Sequence, residues 1–269
     1  MPELTQDGFT TYYEDTGSGE AILLLPGVGA DLQVWERQVP ALAEHRRVIR
    51  MDNRGAGRSS APNEPYTIDA MALDVIALLD HLDLDRTDVV GWSMGAAIAQ
   101  VLAVDHPGRV RTLVLTGAFS RADDFIRLGL ESWVEASRSN MPPEEVVRLA
   151  SRMVCSPAFI DDRPAYDAYI GEWLDNPYAQ SQYGFERQVQ AVLAFQGAPG
   201  LDGVDTPTLI LVGEDDQMVP RYFADELAGL IPGARLEVLP GGHSGFVEHP
   251  DEWNRAILDF LGAKDGTSG

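Results

Sequence analysis

The chain has 269 residues, 45% of them hydrophobic, which fits one large α/β domain with a sizeable core. Its 42 acidic and 20 basic residues give a formal net charge of −22, which argues against nucleic acid or an anionic membrane as a partner. Cys155 is the one cysteine, which excludes an intramolecular disulfide framework and a cysteine-rich metal site.

The first ten residues, MPELTQDGFT, have no cationic region followed by an apolar one, as a signal peptide would. No apolar run approaches the roughly 18 residues that a membrane-spanning helix needs. These observations predict a soluble, cytoplasmic protein that does not bind a membrane.

Strand-like and helix-like stretches alternate through the first half of the chain. A continuous apolar run closed by Pro and Gly predicts a buried strand at 21–26, and strand-like stretches follow at 47–52, 87–92 and 110–118. Helical spacing predicts helices at 34–45, 67–84 and 94–107, with Thr67 as the N-cap of the second. Strands that alternate with helices indicate a mostly parallel central sheet flanked by helices.

The alternation stops near Phe119 and resumes with a strand at 206–214. Another strand, ARLEVLP, and a closing helix from about Pro250 to Leu261 follow. The stretch between contains four predicted helices and no convincing strand, which indicates an inserted all-helical lid. We therefore predict a core at 1–119 and 201–262, a lid at 120–200 and a flexible, Gly-rich tail at 263–269.

The stretch VVGWSMGAA sets Ser93 between two glycines, where a predicted strand gives way to an Ala-rich helix. It fits the G-x-S-x-G pattern, in which a strained turn exposes the serine hydroxyl above the sheet. Gly91 and Gly95 would let the strand and the helix pass closely without clashes between Cβ atoms. The N-terminus of the helix offers free backbone N–H groups to an oxyanion. The pattern predicts a nucleophilic serine rather than an ordinary Gly-rich turn.

A serine nucleophile needs a base, and the base needs an orienting acid. Of the five histidines, His243 lies in the Gly-rich loop LPGGHSGFVEHP, directly after the last predicted strand. Asp215 and Asp216 end the preceding strand in LILVGEDDQMVP and are the candidate acids. The chain order of serine, aspartate and histidine is that of α/β-hydrolases.

On these stretches the chain resembles the α/β-hydrolase fold proteins over essentially its whole length, closely in the sheet and loosely in the lid. The family's acid lies three residues after the glycine that ends its strand, which favours Asp216 over Asp215. The family's histidine falls in G-H-x-x-x-x-E-x-P, which GHSGFVEHP matches at His243. The resemblance therefore implies a catalytic triad of Ser93, Asp216 and His243.

Two further stretches carry the resemblance. MDNRGAGRSS resembles the family's D-x-R-G-x-G-x-S turn, which implies structural roles for Asp52 and Arg54. In LPGVGADLQVW, Pro26 stands where many members have a histidine, and this version is more similar to 3-oxoadipate enol-lactone hydrolases and related esterases and lactonases. That similarity implies an oxyanion hole formed by the backbone N–H groups of Val28 and Met94.

The sequence offers no second chemistry beside the triad. No cluster of His and carboxylates has metal-ligand spacing, and no Gly-rich stretch fits a phosphate or dinucleotide loop, so we predict no metal and no cofactor. The residues expected to bind substrate are mostly apolar and lie near the sheet edge or in the lid. They are Gly29, Trp92, Phe119, Trp133, Phe185, Val219 and Phe246.

The resemblance implies a serine esterase or lactonase that acts on a small-molecule ester or lactone through an acyl-enzyme. Ser93 excludes the relatives that use Asp as nucleophile, whereas C–C bond hydrolases, cofactor-free haloperoxidases and triad-bearing ligand receptors remain alternatives. Because the expected pocket is apolar and the field of the chain is negative, we expect a neutral substrate. Arg187 is the residue of the lid that could bind an anion instead.

Overall fold

The computed structural model describes residues 3–6 and 8–262, so the predicted tail at 263–269 lies outside the described residues. Within this part of the chain, eight strands form one sheet. They are β1 (Glu3–Gln6), β2 (Phe9–Gly17), β3 (Ala21–Leu25), β4 (Arg47–Met51), β5 (Thr87–Trp92), β6 (Val110–Thr116), β7 (Thr208–Gly213) and β8 (Arg235–Leu239).

The strand order across the sheet is β1-β2-β4-β3-β5-β6-β7-β8. The β1–β2 and β2–β4 pairs are antiparallel, and the remaining five pairs are parallel. The central strands β3 and β5 are buried along their whole length. β3 is apolar throughout, as a strand covered on both faces favours, whereas β5 also buries Asp88, which accepts hydrogen bonds from Arg111 and Thr112. The structure confirms the predicted, mostly parallel sheet.

Helices connect the strands and cover the sheet. They are α1 (Val39–Ala43), α2 (Ile68–His81), α3 (Met94–Asp105), α4 (Asp124–Arg138), α5 (Pro143–Val154), α6 (Pro157–Asp161), α7 (Arg163–Leu174), α8 (Gln182–Ala194), α9 (Tyr222–Leu230), α10 (Gly245–Glu248) and α11 (Pro250–Gly262). Short 3₁₀ turns lie at Leu32–Trp35, Pro107–Arg109 and Leu201–Gly203. None of the helices in this part of the chain is long and apolar enough to cross a membrane.

Most predicted elements are present, and the exceptions have local causes. The helix predicted at 34–45 is divided into a 3₁₀ turn and α1, because Pro40 lacks the N–H that would continue a helix through it. Thr67 caps α2 as predicted, its side chain accepting a hydrogen bond from the N–H of Ala70 at 3.0 Å. The sequence prediction missed β1, β2, α9 and the short helices α6 and α10. Of these, β1 and β2 form an antiparallel hairpin at the sheet edge.

Helices α4 to α8 follow one another between β6 and β7, and we call residues 124–194 the helical insert. Its apolar side chains join the main core, since Ile126, Leu130 and Val189 belong to the same buried cluster as the sheet residues. The insert takes the place of the predicted lid. Its opening as a lid, and the domain limits at 119 and 200, remain predictions.

Candidate active site

Ser93 lies on a strained turn between β5 and α3. Its φ of 54° and ψ of −114° put the backbone in a conformation that residues other than glycine rarely adopt. A Cβ atom on Gly91 would lie 2.3 Å from the carbonyl oxygen of Gly95, and one on Gly95 would lie 2.1 Å from that of Leu25. Both positions therefore need glycine, and Ser93 stays partly exposed at the end of the strand.

His243 lies in the loop after β8 and is held on two sides. Its Nδ1 atom is 2.8 Å from Oδ2 of Asp216, and the two side chains are 3% and 0% exposed. The other carboxylate oxygen of Asp216 accepts hydrogen bonds from the backbone N–H groups of Met218 and Val219 at 3.0 and 2.7 Å. The indole N–H of Trp92 donates to the carbonyl oxygen of His243 at 2.9 Å. These bonds fix the orientation of the imidazole ring.

The neighbouring acid points away from this arrangement. Asp215 is exposed, and its backbone N–H donates to the carbonyl oxygen of Gly241 at 3.0 Å. The residue after β6 packs against the imidazole: a Cβ atom on Gly117 would lie 2.7 Å from Cε1 of His243. The structure thus brings Asp216, and not Asp215, to the histidine.

Ser93 and His243 line the same cavity, which has a volume of about 80 Å³, room for several water molecules or a small acyl group. Its walls come from the strand ends and from α4, α5 and α7 of the helical insert, and they are mainly apolar. The lining residues are Val28, Trp92, Ser93, Leu130, Trp133, Val146, Val147, Ala150, Ser151, Val154, Tyr169, Trp173, Met218 and His243.

Two backbone donors next to the cavity are free. The N–H groups of Val28 and Met94 make no hydrogen bond within the described part of the chain. Met94 is the first residue of α3, where backbone N–H groups have no helical acceptor. Val28 lies on the turn after β3 and lines the cavity. Both are the donors that the sequence resemblance implies for an oxyanion.

The residues predicted to bind substrate divide into three groups. Trp92 and Trp133 line the cavity beside Ser93. Gly29 and Phe185 line an adjoining cavity that shares Trp133 with the first. Three others are not among the residues that line either cavity: Phe119, Val219 and Phe246.

These three residues support the site from inside the core. The ring of Phe246 is fully buried and stacks on Trp35 with centroids 4.7 Å apart. Phe119 packs against Phe195 at 6.3 Å between ring centroids. Val219 contributes its backbone N–H to Asp216. They do not line either cavity, because proximity in sequence to the motifs does not determine which way a side chain points, and substrate contact at these positions stays a prediction.

Most of the cavity wall was missed by the sequence prediction. Val146, Val147, Ala150, Ser151 and Val154 lie one or two helical turns apart on a single face of α5. This spacing is visible in PEEVVRLASRMV as an apolar face on an otherwise charged helix. The pattern identifies a buried face, but not the cavity that the face lines.

Asp52 and Arg54 have the structural roles that the sequence predicted. The carboxylate oxygens of Asp52 accept hydrogen bonds from the N–H groups of Leu32 and Arg58, both at 2.8 Å. Burial raises the pKa of Asp52 to about 6, although these two N–H groups oppose the shift. The guanidinium of Arg54 donates two hydrogen bonds to Asp74, both at 2.7 Å. Together they fix the loop that follows β4.

Glu248 connects the histidine loop with the helical insert. Its carboxylate accepts a hydrogen bond from the N–H of Gly242 at 3.1 Å and another from the N–H of Ser156 at 3.1 Å. The N–H of Ser244 donates to the carbonyl oxygen of Val154 at 2.9 Å. The glutamate of the G-H-x-x-x-x-E-x-P pattern therefore holds the loop of the histidine against the α5–α6 junction.

A family model of the alpha/beta hydrolase fold matches residues 20–250. The chain is 33% identical over 261 residues to the putative carbamate hydrolase RutD of Azorhizobium caulinodans, covering 94% of this chain and 96% of that protein. It is 29% identical to 3-oxoadipate enol-lactonase 2 of Acinetobacter baylyi, covering 94% of each chain.

Solved structures of similar proteins also match over nearly the whole chain. The crystal structure of the putative non-heme bromoperoxidase BpoC from Mycobacterium tuberculosis H37Rv matches with a TM-score of 0.87 at 31% identity. That match covers 94% of this chain and 96% of the bromoperoxidase. Carbamate hydrolase, enol-lactonase and haloperoxidase are therefore all names carried by similar proteins.

Proposed function

The chain belongs to the α/β-hydrolase fold family, and from this premise we propose that it is a serine hydrolase of neutral, largely apolar carboxylic esters or lactones. One observation carries the proposal. Ser93, on its strained turn, lines a single cavity with His243, whose Nδ1 is bonded to Asp216, and the other walls of that cavity are mainly apolar. This combination fits nucleophilic attack on a carbonyl carbon.

In the first half of the reaction, Oγ of Ser93 attacks the carbonyl carbon and its proton passes to Nε2 of His243. The electron pair of the C=O bond moves to the oxygen, which accepts hydrogen bonds from the N–H groups of Val28 and Met94. The intermediate then collapses, the bond from the carbonyl carbon to the leaving oxygen breaks, and His243 returns the proton to that oxygen. The product is an acyl-enzyme on Ser93.

In the second half, a water molecule attacks the acyl carbon and gives its proton to His243. The bond to Oγ of Ser93 breaks, and Oγ takes the proton back from the imidazole, which releases a carboxylic acid. Asp216 accepts a hydrogen bond from Nδ1–H of His243 throughout and stabilises the imidazolium. No metal or cofactor takes part in this scheme.

The charge around the cavity supports a neutral substrate. None of the described residues that line it is Lys, Arg, Asp or Glu, so a bound carboxylate would be buried without a cation. The adjoining cavity at α7 is lined by the acidic residues Asp31, Glu36, Glu172 and Asp175 and by Arg37, whose guanidinium pairs with Glu172 at 2.7 Å. Arg187 is not a lining residue, and its guanidinium donates to Gln190 on the surface of α8.

Carbamate hydrolysis is the second candidate, because the 33% identical relative is named a putative carbamate hydrolase. A carbamate offers Ser93 the same kind of carbonyl carbon, with nitrogen on one side of it. Attack and collapse would follow the same steps and release an alcohol or an amine. The cavity beside Ser93 is lined mainly by apolar residues, which favours an alkyl ester over a small polar carbamate.

The test compares two activated esters of similar length under the same conditions, p-nitrophenyl butyrate and the monoanionic p-nitrophenyl succinate. We expect kcat/KM for the butyrate to exceed that for the succinate by at least about 10-fold, since a buried unpaired carboxylate costs several kcal/mol. Ethyl carbamate is assayed beside them by the release of ethanol.

Arg187→Ala is the control, and it should leave the ratio of the two rate constants unchanged because the side chain lies outside the cavity. A preference for the succinate that is lost in Arg187→Ala would contradict the neutral substrate. Faster turnover of the carbamate than of the butyrate would favour the second candidate.

A further inference from the structure

The turn after β3 carries the N–H of Val28, a residue that lines the cavity. It spans Gly27 to Ala30 and is closed by the N–H of Ala30, which donates to the carbonyl oxygen of Gly27 at 3.4 Å. Gly29 has φ of +80°, as the third residue of a type II turn requires. In a trans peptide the C=O and N–H groups point in opposite directions. The bond on the Gly27 carbonyl therefore turns the Val28 N–H away from the interior of the turn.

Amide side chains hold the two peptide groups that flank the Gly27–Val28 peptide. The side chain of Asn53 donates to the carbonyl oxygen of Pro26 at 3.0 Å. The N–H of Gly29 donates to Oε1 of Gln188 at 3.3 Å. The peptide that contains the Val28 N–H thus lies between two peptides whose directions are fixed by side chains from other parts of the chain.

Gln188 lies on α8 of the helical insert and is fully buried. Its Nε2 donates to the carbonyl oxygen of Arg54 at 3.0 Å, while its Oε1 accepts from Gly29. The orientation of the amide is unambiguous, because Gly29 N–H can only donate and the Arg54 carbonyl can only accept. Gln188 therefore links the insert to two loops of the core, the turn with Val28 and the loop after β4.

The backbone of α8 packs directly against the loop after β4. A Cβ atom on Gly184 would lie 2.1 Å from the carbonyl oxygen of Gly55, so helix and loop are in direct backbone contact. The side chain of Gln180 donates to the same carbonyl oxygen at 2.9 Å. Leaving a buried amide without partners costs about 1–3 kcal/mol, so the two bonds of Gln188 keep it in place.

We propose that Gln188 is a positioning residue for the oxyanion site: its hydrogen bond to Gly29 holds the turn so that the Val28 N–H faces the substrate carbonyl. This inference rests on the proposed function, because it assigns a role to the oxyanion that Ser93 creates. It gives the helical insert a part in the chemistry as well as in covering the cavity. An oxyanion donor acts on the transition state, so its misplacement lowers kcat more than it raises KM.

The experiment uses Gln188→Met, which keeps the length of the side chain and removes both hydrogen bonds. Gln190→Met is the matched control, since Gln190 lies on the same helix but is exposed. With p-nitrophenyl butyrate we expect Gln188→Met to lower kcat by about 10- to 100-fold with KM within about threefold, somewhat less than the loss of a whole oxyanion donor. Gln190→Met should match the wild type.

A second readout separates positioning from a general loss of structure. A trifluoromethyl ketone adds to the serine and forms an oxyanion, whereas the corresponding methyl ketone binds as an unreacted carbonyl. We expect Gln188→Met to weaken the trifluoromethyl ketone by the same factor as kcat/KM and to leave the methyl ketone unchanged. Equal weakening of both inhibitors, or an unchanged kcat, would overturn the proposal.

Amide hydrogen exchange in the wild type tests the same inference without a variant that must fold. The Gly29 N–H should exchange slowly in the free enzyme, and the Val28 N–H should become protected only when the trifluoromethyl ketone is bound. Fast exchange at Gly29 in the free enzyme would contradict the role of Gln188. Full esterase activity in Ser93→Ala would contradict the proposed function instead, whatever the result at Gln188.

Discussion

The turns beneath Ser93 and the helical insert above it are packed in different ways. At Gly91 and Gly95, backbone lies against backbone, and a Cβ atom would come within 2.3 and 2.1 Å of carbonyl oxygens. In the insert, backbone lies against backbone at Gly184, which contacts the loop after β4, but two other glycines have room: a Cβ atom on Gly129 would lie 3.6 Å from the sulfur of Met218, and one on Gly171 would have no atom within 4 Å. The catalytic turn therefore tolerates almost no substitution, whereas Gly129 and Gly171 in the insert tolerate a side chain.

The largest expected effect contrasts two serines that line the same cavity. Ser93→Ala and His243→Ala should each lower kcat by about 10⁴-fold or more with unchanged folding, and the double variant should lose no more than either one. Ser151→Ala should cost less than about tenfold, because the Ser151 hydroxyl donates to the carbonyl oxygen of Arg148 at 2.8 Å and stays on the wall. Steady-state ester hydrolysis measures all of these. If Ser151→Ala lowered kcat as much as Ser93→Ala, the insert would take part in catalysis as directly as the core, which contradicts the comparison.

The second prediction separates adjacent acids within the core. Asp216→Asn should lower kcat by about 10⁴-fold, because an amide at this position would favour the wrong tautomer of His243. Asp215→Asn should change kcat by less than about threefold, since Asp215 is exposed and away from the imidazole. The two variants are assayed side by side with the same ester. If Asp215→Asn were the more damaged enzyme, the loop after β7 would not have the arrangement described.

The third prediction compares the same substitution in the two regions. Gly95→Ala should lower the free energy of unfolding by at least about 3 kcal/mol, because its Cβ atom collides with the backbone of β3. Gly171→Ala, inside α7 with open space around it, should raise the free energy of unfolding by up to about 1 kcal/mol. Urea denaturation followed by circular dichroism measures both. Equal stability of the two variants would mean that the turn can relax.

The smallest expected effect is the pH dependence of the free energy of unfolding, to which a carboxyl group in the core and one in the insert contribute with opposite signs. Asp52 in the core has its pKa raised by burial to about 6, so its contribution to stability is complete below its unfolded pKa and is lost as the pH rises through 6. That contribution amounts to up to about 3 kcal/mol. In the insert, the Arg138 guanidinium lowers the pKa of Glu186 to about 2, so its contribution is lost only as the pH falls toward 2, and solvent screening keeps it small.

The measurement is the free energy of unfolding of wild type, Asp52→Asn and Glu186→Gln between pH 4 and pH 7. Relative to wild type, Asp52→Asn should be most destabilised at pH 4 and less so at pH 7. Glu186→Gln should follow the wild type across this range. A constant difference between wild type and Asp52→Asn would show that the pKa of Asp52 is not raised.

The sequence by itself determined the parts of the molecule that depend on backbone geometry. The G-x-S-x-G pattern has glycine two residues before and two residues after Ser93 because strand and helix are too close there for any Cβ atom. The two glycines are visible in the sequence, so the turn could be predicted from it. A buried strand such as β3 could also be predicted, because its apolar run is recognisable without knowing which strands lie beside it. The choice of Asp216 over Asp215 also came from spacing, through the resemblance to the family.

Only the tertiary structure decided which side chains meet at the site. Phe246 follows His243 closely in sequence, yet it stacks on Trp35 inside the core. Gln188 is distant in sequence from every motif, yet its amide lies against the turn that carries Val28. The apolar face of α5 is evident in the sequence, but nothing in it says what the face covers. Local sequence patterns encode the conformation of each element, whereas contacts between distant elements depend on how the whole chain packs, which no single stretch contains.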